Sequence, residues 1–85
     1  MKVEIYSKTT CPYCVAAKDF LRQHDIAFVE HLLDADDERQ AFYARTGTTT
    51  VPQIYADDER IGGYSDLIRS DLVARHQAGQ FNESF

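Results

Sequence analysis

Residues 9–18 read TTCPYCVAAK and contain both cysteines of the chain, Cys11 and Cys14. Two thiols at this spacing can bind a metal ion, form a structural disulfide or exchange electrons. A disulfide between residues three apart closes a very small loop and therefore removes little entropy from the unfolded chain. A closed structural zinc site needs four ligands, and none of the three histidines lies near the cysteines in the sequence. Metal binding and a structural disulfide are therefore less favoured than electron exchange.

The sequence around the two cysteines predicts a strand followed by a helix. Residues 1–7, MKVEIYS, show the alternating apolar pattern of a short buried strand. Apolar residues spaced i, i+3 and i+4 from Ala17 onward predict a helix that ends near His24. Pro12 suits the first turn of that helix, where its missing N–H has no cost.

This arrangement places Cys11 at the N-terminus of the predicted helix. Unpaired backbone N–H groups and the helix dipole stabilise an anion there, which is a common way to lower a cysteine pKa below about 8.5. Lys8 is close enough in the sequence to add positive charge. We therefore expect Cys11 to be the exposed nucleophile and Cys14, one turn into the helix, to be the resolving thiol. The pair is interpreted as a redox couple.

Composition and charge limit the class of protein further. A chain of 85 residues is expected to form one domain, over residues 1–85. Nine basic residues among fourteen acidic ones give a net charge of −5, which argues against a nucleic-acid partner. No apolar run approaches the roughly 20 residues of a membrane helix, and the first residues lack the apolar segment of a signal peptide. We therefore expect a cytosolic protein, in which permanent disulfides are uncommon.

The rest of the sequence predicts a succession of strands and helices. The predicted elements are a strand over 26–32, a helix over 36–47 ended by Gly47, a strand–turn–strand over 52–63 that turns at Asp57 and Asp58, and a helix from the N-cap Ser65 to Gly79. Ala41 and Phe42 are expected to supply apolar contacts, as are Ile68 and Leu72 at i, i+4. The order β-α-β-α-β-β-α predicts a small α/β sandwich. A C-x-x-C just after its first strand is typical of thioredoxin-like redox proteins.

Three motifs give the chain a specific resemblance to the dithiol glutaredoxins over nearly its whole length. The CPYC at 11–14 is similar to the active site of that family, the TVP at 50–52 to its second motif, and the GGYSD at 62–66 to its third. The resemblance implies a thioredoxin fold, with a four-stranded mixed sheet flanked by three helices. It also implies that the proline of the second motif is cis and faces the cysteines.

The resemblance further implies glutathione as the electron donor and no permanently bound cofactor or metal. Backbone groups at Val51, next to the cis-proline, are expected to pair with the cysteinyl unit of glutathione as a short added strand. The start of the last helix is expected to hold the γ-glutamyl carboxylate, with the neighbouring amine paired to Asp66. The implied glutathione-binding residues are Lys8, Tyr13, Arg39, Val51, Pro52, Ser65 and Asp66.

Two positions depart from the pattern of many relatives. Thr48 stands where a basic residue is frequent, so one positive contact is missing, and Tyr64 stands where several relatives have an additional cysteine. Neither change affects the two cysteines that carry the chemistry.

The resemblance implies a monomeric enzyme that reduces protein disulfides and protein–glutathione mixed disulfides. Two alternatives keep the fold: a redoxin that receives electrons from thioredoxin reductase, and a dimer in which Cys11 and glutathione hold an iron–sulfur cluster. The Ser65–Asp66 site argues against the first alternative, and the stiff Pro12 argues against the second.

Overall fold

The computed structural model describes residues 1–83 and contains four strands and four helices. The strands are β1 (Val3–Ser7), β2 (Val29–Leu32), β3 (Gln53–Ala56) and β4 (Glu59–Gly62). The helices are α1 (Pro12–Gln23), α2 (Asp36–Thr46), α3 (Tyr64–Arg69) and α4 (Leu72–Glu83). The strands form one sheet in the order β2-β1-β3-β4, in which only the pairing of β1 with β2 is parallel. This mixed sheet with its helices confirms the thioredoxin fold.

The alternation of residues along β1 separates the two faces of the sheet. Val3 and Ile5 are buried on one face, where they join apolar residues of α1, β3, α3 and α4 in a single core. Tyr6 points to the other face and stacks on the buried Phe42 of α2, with ring centroids 4.5 Å apart. The sheet is therefore covered on both faces, and the loop that leaves β1 toward α1 emerges at one end of it.

The last predicted helix is wrong in its start, its continuity and its end. Gly63 is the N-cap of α3 in place of Ser65, and α4 continues past Gly79. Between the two helices, Ser70 leaves the helical conformation at ψ 169°, and its hydroxyl oxygen accepts a hydrogen bond from the Leu72 N–H at 3.3 Å. Ser70 thus ends α3, and its hydroxyl accepts from the first residue of α4, so that the expected three helices become four.

Three smaller expectations are also wrong, one about the start of a strand and two about which side chains pack in the core. β2 begins at Val29 rather than residue 26, because the Ile26 N–H donates to the carbonyl of Leu21 at 2.9 Å and so belongs to the end of α1. Ala41 is exposed, and Ile68 is 45% exposed because Leu67 occupies the core instead.

Other predicted boundaries are confirmed. Gly47 ends α2 in the left-handed conformation with φ 72°, and Asp57 and Asp58 form the turn between β3 and β4 with positive φ angles. None of the helices within residues 1–83 combines the length and the apolar character that crossing a membrane requires.

Candidate active site

The two cysteines lie at the start of α1, which begins directly after the loop from β1. Cys11 is the N-cap residue in an extended conformation and is joined to Cys14 by a disulfide, with the Cα atoms 5.2 Å apart. The backbone N–H of Cys14 donates a hydrogen bond to Cys11 Sγ at 3.1 Å. The sulfur of Cys11 therefore occupies the position where an N-cap side chain normally accepts from the helix.

The surroundings of Cys11 favour a thiolate when the disulfide is reduced. The Cys14 N–H and the positive end of the α1 dipole face its sulfur, and the first turn of α1 contains no acidic residue. An anion at Cys11 Sγ is thus stabilised by a donor already in place, and no nearby carboxylate on the same helix turn opposes it.

Cys11 is less exposed than the sequence predicts. It is 8% exposed and Cys14 is fully buried, so Cys11 is the more accessible thiol but not an openly exposed one. The reason is the loop before β3: the Val51 carbonyl oxygen lies 3.9 Å from Cys11 Sγ. In the disulfide the sulfur carries no proton, so this approach is a van der Waals contact.

The loop before β3 contains the cis peptide bond that was expected between Val51 and Pro52. Pro52 is buried, and Val51 is half-buried. Gly63 passes close to this loop, because a Cβ atom built on Gly63 would lie 3.6 Å from the Pro52 carbonyl oxygen. The second and third sequence motifs therefore meet next to the dithiol.

A groove of about 500 Å³ runs between these motifs and α1. Its lining residues are Tyr13, Thr50, Val51, Pro52, Gly63, Tyr64 and Ser65. Four of them were predicted to bind glutathione, whereas Thr50, Gly63 and Tyr64 were not. The ring of Tyr13 is 67% exposed and lies 6.3 Å from that of Tyr64, centroid to centroid. Membership of the second and third motifs is the signal that could have identified the three missed residues.

A second, more polar groove of about 570 Å³ continues from the first and shares Thr50, Gly63 and Ser65 with it. Its other lining residues are Gly47, Thr48, Thr49, Gln53, Arg60, Ile61, Gly62 and Asp66. Asp66 is the third residue of α3, and its Oδ2 accepts a hydrogen bond from the Gly63 N–H at 3.0 Å. Asp66 thus fixes the start of α3 while its carboxylate stays exposed to the second groove.

Lys8 and Arg39 are not among the residues that line the two grooves within the described chain. Arg39 donates from Nη1 to the carbonyl oxygens of Leu33 and Asp34, at 2.9 and 2.7 Å, and also pairs with Asp36. These contacts hold the loop between β2 and α2. A role for Lys8 or Arg39 in ligand binding therefore stays a prediction.

Two polar contacts beside the site were not predicted. The N–H and the hydroxyl of Thr9 donate to the two carboxylate oxygens of Asp34, at 2.7 and 2.6 Å, and these bonds lower the pKa of Asp34. Glu30 accepts from Lys18 at 2.8 Å and from Ser7 at 2.7 Å, which lowers its pKa as well. Thr9 and Asp34 tie the loop that precedes Cys11 to the chain that leaves β2.

The chemistry that these residues support is redox chemistry of the cysteine pair. Among the described residues, no group of three or more His, Cys, Asp or Glu side chains is arranged to hold a metal ion. A helix that starts at a C-x-x-C disulfide, opposite a cis-proline on a thioredoxin-type sheet, defines a thiol–disulfide oxidoreductase.

Comparison with known proteins gives the family. The glutaredoxin family model matches residues 3–61. The chain is 46% identical over 70 residues to glutaredoxin 3 of Escherichia coli, a match that covers 81% of this chain and 84% of that protein. The chain therefore belongs to the glutaredoxin family.

Solved structures agree with this assignment. The structure of glutaredoxin 1 from Francisella tularensis in complex with cacodylate has a TM-score of 0.78 and 41% identity, over 80% of this chain and 88% of that one. A buckwheat glutaredoxin–glutathione complex has a TM-score of 0.70 and 26% identity, over 91% of this chain and 69% of that one.

Proposed function

We propose that the protein is a glutathione-dependent oxidoreductase that reduces protein disulfides and protein–glutathione mixed disulfides. The observation that carries this proposal is the groove beside the dithiol, which brings Tyr13, the Val51–Pro52 loop and Ser65 together and leads on to Asp66. The buckwheat relative, whose structure is a complex with glutathione, supports the choice of ligand.

Glutathione is proposed to lie along this groove with its sulfur at Cys11. The backbone of Val51 pairs with the cysteinyl unit, and Pro52 and Tyr13 flank it. Ser65 and Asp66 receive the γ-glutamyl end. Lys8 attracts the glycine carboxylate at longer range, and Arg39 contributes less because its guanidinium is already bound to two carbonyl oxygens and to Asp36.

Reduction of a glutathionylated protein needs only Cys11. The Cys11 thiolate attacks the glutathione sulfur of the mixed disulfide, a bond forms between these sulfurs, and the protein thiolate leaves. A second glutathione thiolate then attacks the glutathione sulfur held on Cys11. This step releases glutathione disulfide and regenerates the Cys11 thiolate.

Reduction of a protein disulfide needs both cysteines. Cys11 attacks one sulfur of the target and forms a mixed disulfide with it. The Cys14 thiolate then attacks Cys11 Sγ, which releases the reduced target and leaves the Cys11–Cys14 disulfide that the structure contains. Two molecules of glutathione reduce this disulfide and become one molecule of glutathione disulfide.

The test compares wild type with Cys11→Ser and Cys14→Ser in glutathione-dependent reduction of a small mixed disulfide and of a protein disulfide. We expect Cys11→Ser to lose both activities. Cys14→Ser should still reduce the small mixed disulfide but should no longer reduce the protein disulfide. Turnover of wild type with thioredoxin reductase but not with glutathione would overturn the proposal. The cytosolic location and the monomeric state stay predictions.

A further inference from the structure

The second groove contains one cationic side chain among its described lining residues, Arg60 on β4. Arg60 is exposed and takes part in none of the ion pairs formed between described residues. Its guanidinium carries five N–H donors and is therefore suited to a carboxylate. The same groove carries one carboxylate, that of Asp66.

We propose that Arg60 binds the α-carboxylate at the γ-glutamyl end of glutathione, next to an ammonium group held by Asp66. The inference rests on the proposed function and names a specificity-determining residue for it. Arg60 then supplies the positive contact that Thr48 does not, since both residues line the same groove.

The path of the ligand supports this assignment. The first groove begins at Val51, whose carbonyl lies 3.9 Å from Cys11 Sγ, and it joins the second groove at Thr50, Gly63 and Ser65. With its sulfur at Cys11 and its γ-glutamyl end at Ser65 and Asp66, as proposed above, glutathione extends its γ-glutamyl chain into the second groove. That chain ends in a carboxylate and an ammonium on one carbon atom, and the groove offers one guanidinium and one carboxylate.

Two other polar side chains of the second groove, those of Thr48 and Gln53, are already engaged. The Thr48 hydroxyl is buried and pairs with that of Thr46 at 2.7 Å. The Gln53 side-chain amide donates to the Thr50 carbonyl at 3.1 Å. Because the chain has a net charge of −5, its general field repels an anion, and a local cation strengthens the binding of a carboxylate in the groove. Arg60 is the cationic side chain among the described lining residues.

The first experiment measures the KM for glutathione in the reduction of a small mixed disulfide. Arg60→Gln is expected to raise KM by about five- to tenfold with little change in kcat, because it loses one partly exposed charge-assisted hydrogen bond to the ligand. Arg60→Lys is expected to recover part of the loss, because it keeps the charge without the fork of donors. Arg69→Gln is the matched control: it removes the same charge from an exposed residue outside both grooves, and its KM should stay within about twofold of wild type.

The second experiment uses a glutathione analogue in which a γ-aminobutyryl group replaces the γ-glutamyl group, so that only the α-carboxylate is missing. Wild type should use this analogue with a raised KM, and Arg60→Gln should raise it no further, as expected for two changes that remove one contact. The inference is wrong if Arg60→Gln raises the KM for glutathione and the KM for the analogue by the same factor. It is also wrong if Arg60→Gln and Arg69→Gln have equal KM values for glutathione. Absence of glutathione turnover in wild type would instead overturn the proposed function itself.

Discussion

Replacement of Gly62 by alanine is expected to destabilise the start of α3. Gly62 has φ 123°, a conformation that costs a residue with a side chain about 1–3 kcal/mol. The new Cβ atom would also lie 2.5 Å from Asp66 Oδ2 and 2.9 Å from Asp66 Cβ. Rotation of the carboxylate cannot relieve the second contact, so the first turn of α3 must move. We expect a loss of roughly 3 kcal/mol in the free energy of unfolding, measured by urea denaturation, with a fall in Tm of more than about 10 °C.

Gly47→Ala separates the two contributions to this loss. Gly47 also has a positive φ, 72°, but an added Cβ atom would have no neighbour within 4 Å. Its substitution should therefore cost only the conformational part, about 1–2 kcal/mol. If the two variants lose equal stability, the close packing of Gly62 against Asp66 does not contribute, and the reasoning about the start of α3 is wrong.

Two further predictions concern the polar contacts beside the site. Lys18→Met should lower the free energy of unfolding by up to about 1 kcal/mol near pH 7. Lys18, and after it Ser7, lowers the pKa of Glu30 below its ordinary 4.5. The loss of stability in Lys18→Met should therefore shrink as the pH falls through this lowered pKa and Glu30 becomes protonated. An equal loss in urea unfolding at about pH 7 and about pH 3 would contradict this prediction. Asp34→Ala should accelerate amide hydrogen exchange in residues 9–11, and Thr9→Val should do so less because one of the two bonds remains. Exchange at the wild-type rate in both variants would show that this contact does not hold the loop.

The sequence was most informative where the signals are local. Pro12 in the first turn and the apolar spacing after it are sufficient to place Cys11 at the start of α1, and the structure has it there as the N-cap. Gly47 likewise ends α2, because it follows the last helical residue and accepts a positive φ without steric cost. Such features depend on a few neighbouring residues and not on the rest of the fold.

The last predicted helix failed because a regular pattern concealed a break. Ile68 and Leu72 are four residues apart and would share a face of one continuous helix, which favoured that interpretation. In the structure Leu67 and Leu72 are both buried, although residues five apart point in different directions on one helix. The break at Ser70 allows both to reach the core. Ser70-Asp71 before an apolar residue is an N-cap signal that could have revealed it.

The contact between Thr9 and Asp34 depends on strand register, which the sequence alone did not provide. Ser7 of β1 is level with Leu32 of the parallel β2, so Thr9 and Asp34, each two residues further on, leave the sheet at the same edge. Their two hydrogen bonds anchor the loop before Cys11. Neither bond involves a sulfur atom. We therefore expect the groove to keep its form when the disulfide is reduced, so that the thiolate of Cys11 meets a binding site already in place.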